Sequence, residues 1–402
     1  MEHVTSTGLP HAEQRADMGR VMFAALLVGM IPQGLVEAAI TASLPEMSRD
    51  MGAHGEFVAQ MMMGMGALGL TFGALISGRI LEWAGTRTTF LSALFCFGVF
   101  GAGGMVLSST PLLFASRIIV GISASCLVTT CLWGISANFT GAERARVFGT
   151  AGAIGGVSVL LSVVFGGFLT QHLGWRFSFL QYPLFALITL PIALGGMHQR
   201  RPEMSKTNRE SHLKHFLPLF LLIIVFYAVI GMSSMQLSFL LNGNGASQAG
   251  FRSMIQSLPG IASIAGAFSY GALQQRIGST WAFAAGLVCF AAGLAVLALS
   301  HGLVIPALGA CAVGLCMGLS APYFYHTVTE RASLASAGRY IGFVNACTFF
   351  GAFVNPMVFE PIKAHLGMQG LYLVAATIIG IIGLGMIVKA MRSVPSTTES
   401  AH

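Results

Sequence analysis

Twelve apolar stretches follow one another along the 402 residues, each long enough to cross a bilayer. They lie at about 21–45, 57–78, 88–108, 112–136, 147–170, 177–197, 216–240, 251–273, 281–300, 303–326, 339–361 and 370–390. A helix needs about 20 apolar residues to span the hydrocarbon core. The alternating pattern of a membrane barrel is absent. With no water at membrane depth the backbone must satisfy itself, which leaves helices. Composition agrees, since 9% of residues are charged against about 25% in a soluble domain. No soluble fold of this size hides 55% hydrophobic residues. The expected fold class is an all-α integral membrane protein with twelve transmembrane helices.

The longest polar break, His198–His215, divides these into two sets of six. The expected organisation is a tail at 1–20, a six-helix bundle at 21–197, a linker at 198–215, a second bundle at 216–390 and a tail at 391–402. The first stretch is too long, and its flank too polar, for a cleaved signal peptide. The two halves match at a constant offset of 193 residues: Gly73-Ala74 with Gly266-Ala267, Gly85 with Gly278, Gly121 with Gly314, Arg146 with Arg339, and His172-Leu173-Gly174 with His365-Leu366-Gly367. Six helices per half start both halves on the same side. They are parallel repeats, an architecture whose substrate site lies at the midplane between the halves.

Lys and Arg give the orientation. With the N-terminus cytoplasmic, sixteen basic residues fall on inside loops and four (Arg49, Arg176, Arg252, Lys363) outside. Both termini are therefore expected in the cytoplasm of a bacterium, the chain lying in its inner (plasma) membrane. The net charge of +7 is a set of orientation signals and implies no nucleic-acid partner. The seven cysteines fall inside the apolar stretches, without a CxxC pair. They read as small apolar fillers, with no metal site.

Glu37 is an acidic residue inside the first stretch, with Gln33 one turn before it. A charge at membrane depth costs about 2.5–3.5 kcal/mol or more, so such residues face a partner or a water-filled path. Glu37 lies about 12 Å from the outer end of its helix, at 1.5 Å per residue. Arg117, in the fourth stretch, lies about 8–9 Å from the same face. The pair is expected to communicate, with Glu37 binding a proton. Low dielectric favours a protonated carboxylate and a nearby cation opposes it. Direct contact with a ligand, or a static pair that fixes the helices, are the other readings. Pro32-Gln33-Gly34 weakens the helix locally and frees backbone groups.

The second half offers Tyr227, Gln236, Gln256, Tyr270, Tyr323, Tyr325, Asn345 and Asn355, with Phe349, Phe350 and Phe353. Gln33, Glu37, Tyr227, Gln236, Gln256, Tyr323, Asn345, Phe349 and Asn355 are the expected substrate-binding set. An apolar wall with a few placed polar groups suits an amphipathic organic ligand. His326 reads as a capped or solvated histidine. Met61, Met62, Met63 and Met65 point in different directions on one helix, so they read as flexible packing rather than a soft-metal site. No phosphate-binding loop, HExxH or GxSxG is present. No cofactor is expected, and the energy source is the proton gradient.

The two-times-six arrangement resembles the major facilitator superfamily over essentially the whole chain. Gly78-Arg79-Ile80-Leu81-Glu82-Trp83-Ala84-Gly85-Thr86-Arg87 is similar to that family's loop G-x-L-a-D-R-x-G-R-R/K, with Glu82 for the Asp, Trp83 for the first Arg and Thr86 for the second. Its second copy, Gly271-Ala272-Leu273-Gln274-Gln275-Arg276-Ile277-Gly278, keeps the Arg and loses the acid. The resemblance implies that Gly78, Glu82, Gly85, Arg87 and Arg276 form a conformational gate. Arg117-Ile118-Ile119-Val120-Gly121 is similar to the R-x-x-x-G motif of proton-coupled members, which implies a role for Arg117 in proton transfer. Pro45-Glu46 resembles the family's first-helix exit, and Gly174-Trp175-Arg176-Phe177 a turn of drug and metabolite exporters. One departure is that Ser162-Val163 precedes Gly166-Gly167, where drug–proton antiporters usually carry Gly-Pro.

The implied activity is secondary transport by alternating access: proton-coupled efflux of a small organic compound by a monomer in the bilayer. The alternative is uptake of an organic anion or metabolite, with Arg117 binding its charge. A membrane enzyme or sensor would need a reactive constellation or a signalling domain, and the sequence shows neither.

Overall fold

The computed structural model describes residues 20–52, 54–201, 213–331 and 334–392. The expected N-terminal tail, most of the linker and most of the C-terminal tail lie outside the described residues. The described chain is helical, without a strand. Its helices are α1 (Arg20–Val28), α2 (Ile31–Thr41), α3 (Leu44–Asp50), α4 (Gly55–Ala84), α5 (Thr86–Gly101), α6 (Gly103–Val106), α7 (Thr110–Asn138), α8 (Gly141–Leu173), α9 (Gln181–Gly196), α10 (Leu213–Gly243), α11 (Ala249–Ile277), α12 (Ser279–Ala298), α13 (Val304–Arg331) and α14 (Leu334–Arg392). A 3₁₀ turn, Trp175–Leu180, joins α8 to α9.

Among the described residues nine helices are long and apolar enough to cross a membrane, and the bent pair α1–α2 makes a tenth. One of the nine, α14, is two helices joined at Gly367, where the backbone leaves helical geometry (φ 69°, ψ −177°). The expected stretch at 251–273 is α11, a more polar helix that carries Arg252, Gln256, Gln274, Gln275 and Arg276. The first crossing is bent by 40° between α1 and α2. Pro32, in the first turn of α2, has no N–H to continue the ladder, and proline fits a first turn well. Gly29 sits in this bend against Phe90 and Cys131, with no room for a Cβ.

The backbone repeats as the sequence does. Gly85 (φ 77°) ends α4 and Gly278 (φ 86°) ends α11, 193 residues apart. A side chain would be strained at that φ. The close helix crossings repeat too. A Cβ on Gly121 would lie 2.6 Å from the Leu70 nitrogen, where α7 crosses α4. A Cβ on Gly314 would lie 2.7 Å from the Pro259 Cα, where α13 crosses α11. Without a hydrophobic drive between helices in lipid, such small-residue contacts provide the packing.

Two apolar cores result. One gathers residues from Ala25 to Met197, with Met235. The other runs from Phe216 to Met386. The halves meet where α4 packs on α14 and α8 on α11.

Candidate functional site

A cavity of about 450 Å³ lies between the halves, lined by α2, α4 and α8 from the first and by α10, α11, α13 and α14 from the second. Its walls are mostly apolar, with Met30, Met63, Met235, Met317 and Phe349 among them. Of the described residues that line it, Glu37 alone carries a formal charge. Gln33 lies one turn away on the same helix and lines the cavity as well. Thr41 donates from Oγ1 to the Glu37 main-chain oxygen at 2.8 Å. That contact leaves the carboxylate itself without a hydrogen-bond or ion-pair partner among the described residues.

Arg117 is not in this cavity. Its side chain is 1% exposed and sits behind α2. Nε donates to the Met62 oxygen at 3.1 Å, Nη1 to the Tyr182 hydroxyl at 2.6 Å, and Nη2 to the Val36 oxygen. The guanidinium also stands over the Tyr182 ring at 5.2 Å and the Phe179 ring at 5.8 Å. A buried cation is costly unless its donors are used. Here carbonyls, a phenol and two ring faces take the place of a carboxylate. Gly66 makes the space, since a Cβ there would lie 3.1 Å from Nη2. Glu37 and Arg117 share no hydrogen bond or ion pair among the described residues. Arg117 is linked to α2 through its backbone, at the Val36 carbonyl that precedes Glu37.

Of the expected ligand set, Gln33, Glu37, Tyr227, Gln256 and Phe349 line the cavity. Gln236, Tyr323, Asn345 and Asn355 do not. Gln236 accepts a bond from Lys363 Nζ at 3.1 Å. Tyr323 stacks on Phe283 at 4.1 Å inside the second core. Asn345 accepts from the Tyr325 hydroxyl at 2.8 Å. Asn355 is 1% exposed, with Nδ2 3.1 Å from the Met235 sulfur. Each sits on a cavity-lining helix but on another of its faces, and the rotation of a helix is fixed by packing rather than by depth. The sequence reading passed over Thr41, Ser233, Ser257 and Thr348, and the glycine wall of α8, which also line the cavity.

The turn after α4 is clasped by the end of α9. Thr86 N–H donates to the Arg200 oxygen at 2.9 Å, Thr86 Oγ1 to the His198 oxygen at 2.6 Å, and Gln199 Nε2 to the Ala84 oxygen at 2.7 Å. Gly85 is wedged into this clasp. Glu82 and Arg87 form no ion pair with a described residue, and Arg87 and Arg276 are exposed. In the second copy the bridge between helices comes from Gln274, whose Nε2 lies 2.7 Å from His326 Nε2. The motif's charges are therefore not what holds either turn in this structure.

At the face away from the termini the halves are tied by a polar lock that the sequence did not reveal. Arg252, 0% exposed, donates from Nη2 to both Glu46 oxygens at 2.6 Å and to the Ala42 oxygen at 3.0 Å. Lys363 Nζ bonds Glu56 Oε1. Gln60 Nε2 reaches Glu360 Oε2 at 2.9 Å, and Gly250 N–H reaches Gln171 Oε1 at 3.1 Å. Every one of these contacts crosses between the halves. Nearer the termini, Gly152 and Gly156 of the cavity wall have no atom within 4 Å of where a Cβ would stand, so both face the open space of the cavity.

Comparisons with known proteins accord with this geometry. The profile of the Major Facilitator Superfamily matches residues 26–356. The chain is 28% identical over 176 residues to the puromycin resistance protein pur8 of Streptomyces alboniger, covering 43% of this chain and 34% of that one. It is 26% identical over 188 residues to the multidrug transporter protein MdtP of Bacillus subtilis (strain 168), covering 45% and 34%. It thus spans about a third of the length of these curated relatives. The crystal structure of a D-xylose–proton symporter superposes with a TM-score of 0.73 over 91% of this chain and 96% of that one, at 15% identity, which shows a shared fold. A helical chain around a central cavity, with the family's profile matching residues 26–356, establishes that this multi-pass membrane protein belongs to the Major Facilitator Superfamily.

Proposed function

We propose that the chain is a secondary transporter that exports a small organic compound in exchange for protons. It works from a bacterial plasma membrane with both termini cytoplasmic, and the structure then corresponds to its inward-open state. The observation that carries the reading is Glu37, the one formal charge on the described wall of an apolar cavity built by both halves. A carboxylate there is neutralised either by a proton or by the positive group of a ligand. If the two neutralising partners exclude each other, loading one releases the other. The direction is supported by the relatives, which include a puromycin resistance protein and a multidrug transporter protein. The proton gradient supplies the energy, and no cofactor takes part. Both halves contribute to one cavity, so a monomer suffices.

The turn at Gly78–Arg87 and its counterpart near Arg276 serve the gate, through the backbone clasp at Gly85 rather than through Glu82 or Arg87. Uptake of an organic anion is the weaker reading. It needs Arg117 to meet substrate charge, and that guanidinium already spends its donors on α2, Met62 and Tyr182. The family is not a class of enzymes.

The test is proton flux in proteoliposomes loaded with a pH-sensitive dye and challenged with cationic, neutral and anionic organic compounds, with Glu37→Gln alongside. Compound-driven flux in the wild type that disappears in Glu37→Gln is expected. Movement of labelled compound without protons would overturn the coupling.

A further inference from the structure

The polar contacts at the face away from the termini fall into two groups that respond differently when the halves separate. Arg252 Nη2 takes its acceptors, Glu46 and Ala42, from the first half. Parting the halves leaves that nitrogen without either. The second group is built from Glu56 and Gln60 of α4 and from Glu360 and Lys363 of α14. Two of its contacts cross between the halves: Lys363 Nζ donates to Glu56 Oε1, and Gln60 Nε2 donates to Glu360 Oε2 at 2.9 Å.

The same four side chains are also placed to pair within their own halves. Gln60 Nε2 already reaches Glu56 Oε1 at 3.3 Å, one turn back on α4. Its two N–H groups thus serve two carboxylates, one from each half. Glu360 and Lys363 stand three residues apart on α14, a spacing that makes neighbours on a helix surface. Lys363 also donates to Gln236 Oε1 at 3.1 Å and lies 5.0 Å from the centre of the Phe239 ring. Both belong to α10, in the same half, and travel with it.

The two arrangements hold the same bonds. With the halves together, Lys363 pairs with Glu56 and Gln60 with Glu360. With the halves apart, Lys363 pairs with Glu360 and Gln60 with Glu56. Each arrangement has one ion pair and one amide–carboxylate bond, and neither leaves a charge without a partner. Stranding a charge is what makes a buried pair costly to break. It matters here because the Lys363 side chain is only 15% exposed and that of Glu56 32%.

We propose that Lys363 is the moving part of an exchange latch. As the outer face opens, its ammonium passes from Glu56 to Glu360, and the Gln60 amide passes from Glu360 to Glu56. This part of the interface then parts without a stranded charge, and Arg252–Glu46 is the pair that holds the face shut. The inference rests on the alternation of the two halves in the transport reading above, not on its direction or its coupled ion. It gives the two carboxylates opposite roles, although both bond across the interface in this structure. Glu56 stabilises the closed outer face and Glu360 the open one. An amide at position 360 still accepts from Gln60 when the face is closed, but it offers Lys363 no charge when the face is open. A static lock makes the opposite statement about Glu360, because every crossing bond then favours closure.

The test is the rate at which a membrane-impermeant maleimide, added outside right-side-out vesicles, labels a cysteine placed at Thr41. The full-length chain carries alanine at its seven native cysteines. Thr41 is 5% exposed and lines the cavity, so the reagent reaches it from outside when the outer face parts. With opening and closing fast against labelling, the rate follows the outer-open population. Glu56→Gln is expected to raise the rate by about 5- to 30-fold, and Glu360→Gln to lower it by a similar factor. The double variant is expected to return close to the wild-type rate, since each arrangement then lacks one ion pair. That return also shows that neither single effect is misfolding. A rate that rises in Glu360→Gln, a rate unchanged in either single variant, or a double variant that does not return overturns the latch and leaves the transport reading in place. A wild type that is never labelled from outside, while its denatured form reacts, overturns the latch and the alternation of the halves together.

Discussion

Replacing Glu46 by Gln should release the face away from the termini. Arg252 is wholly enclosed, and Glu46 is 23% exposed. Both carboxylate oxygens lie 2.6 Å from Nη2. Removing one partner of a fully buried pair costs about 3–5 kcal/mol, because the other charge stays buried. Here the cost is lower. Glu46 is partly solvated, and Nη2 keeps Ala42 while Nη1 keeps Ala246 and Ser247. About 2–3 kcal/mol is a reasonable value, which changes the ratio of closed to open by about 30- to 150-fold. A chain that is closed at this face about 99% of the time would then open it in a large fraction of molecules. Spin labels at Ser109 and His301, exposed turns of the two halves, report the separation by double electron–electron resonance. A longer distance should grow in Glu46→Gln and shrink back in Glu46→Asp, which restores the charge. An unchanged distribution in Glu46→Gln would show that this pair does not hold the state.

Three further outcomes are expected. Arg117→Lys should unfold at a lower temperature than wild type, by an amount equivalent to about 2 kcal/mol, because a single ammonium cannot serve the acceptors at Met62, Tyr182 and Val36 together; equal melting temperatures would refute this. Gly121→Ala and Gly314→Ala should each cost about 1–3 kcal/mol by overpacking a backbone crossing, whereas Gly149→Ala and Gly342→Ala, with nothing within 4 Å of the new Cβ, should leave thermal stability equal or higher; scanning fluorimetry in detergent separates the two groups. Thr86→Val should loosen the clasp on the turn after α4, since Oγ1 donates to the His198 oxygen and accepts from the Arg200 N–H, and faster proteolysis near residue 200 would report it.

Much of the fold was legible because lipid makes hydrophobicity do the work that many weak signals share in a soluble chain. Even the repeat could be read, and its glycines at 85 and 278 carry the same backbone conformation. The site was only partly legible. Glu37 and Gln33 stood out because polar atoms are rare at that depth. Depth along a helix follows from counting residues, but the face a residue presents depends on how its helix is rotated. Gln236, Asn345 and Asn355 are polar residues of apolar helices, and their side chains face other partners. Arg117 and Glu37 lie within a few ångströms of each other in depth, yet Glu37 faces the cavity while Arg117 bonds the backbone of α2 outside it. The lock between Arg252 and Glu46 went unread for another reason: charges at the ends of apolar stretches look like orientation signals. Nothing local marks a pair 206 residues apart.

The central claim is that a proton and a cationic ligand exclude each other at Glu37. The most direct measurement is the number of protons released per ligand bound, from calorimetry of 1-benzylpyridinium binding in buffers of different ionisation heat, over a series of pH values. The wild type should release a number of protons that rises towards about one as the pH falls, and Glu37→Gln should release none. A wild type that binds the cation without releasing protons, or a Glu37→Gln variant that releases as many, would contradict the account.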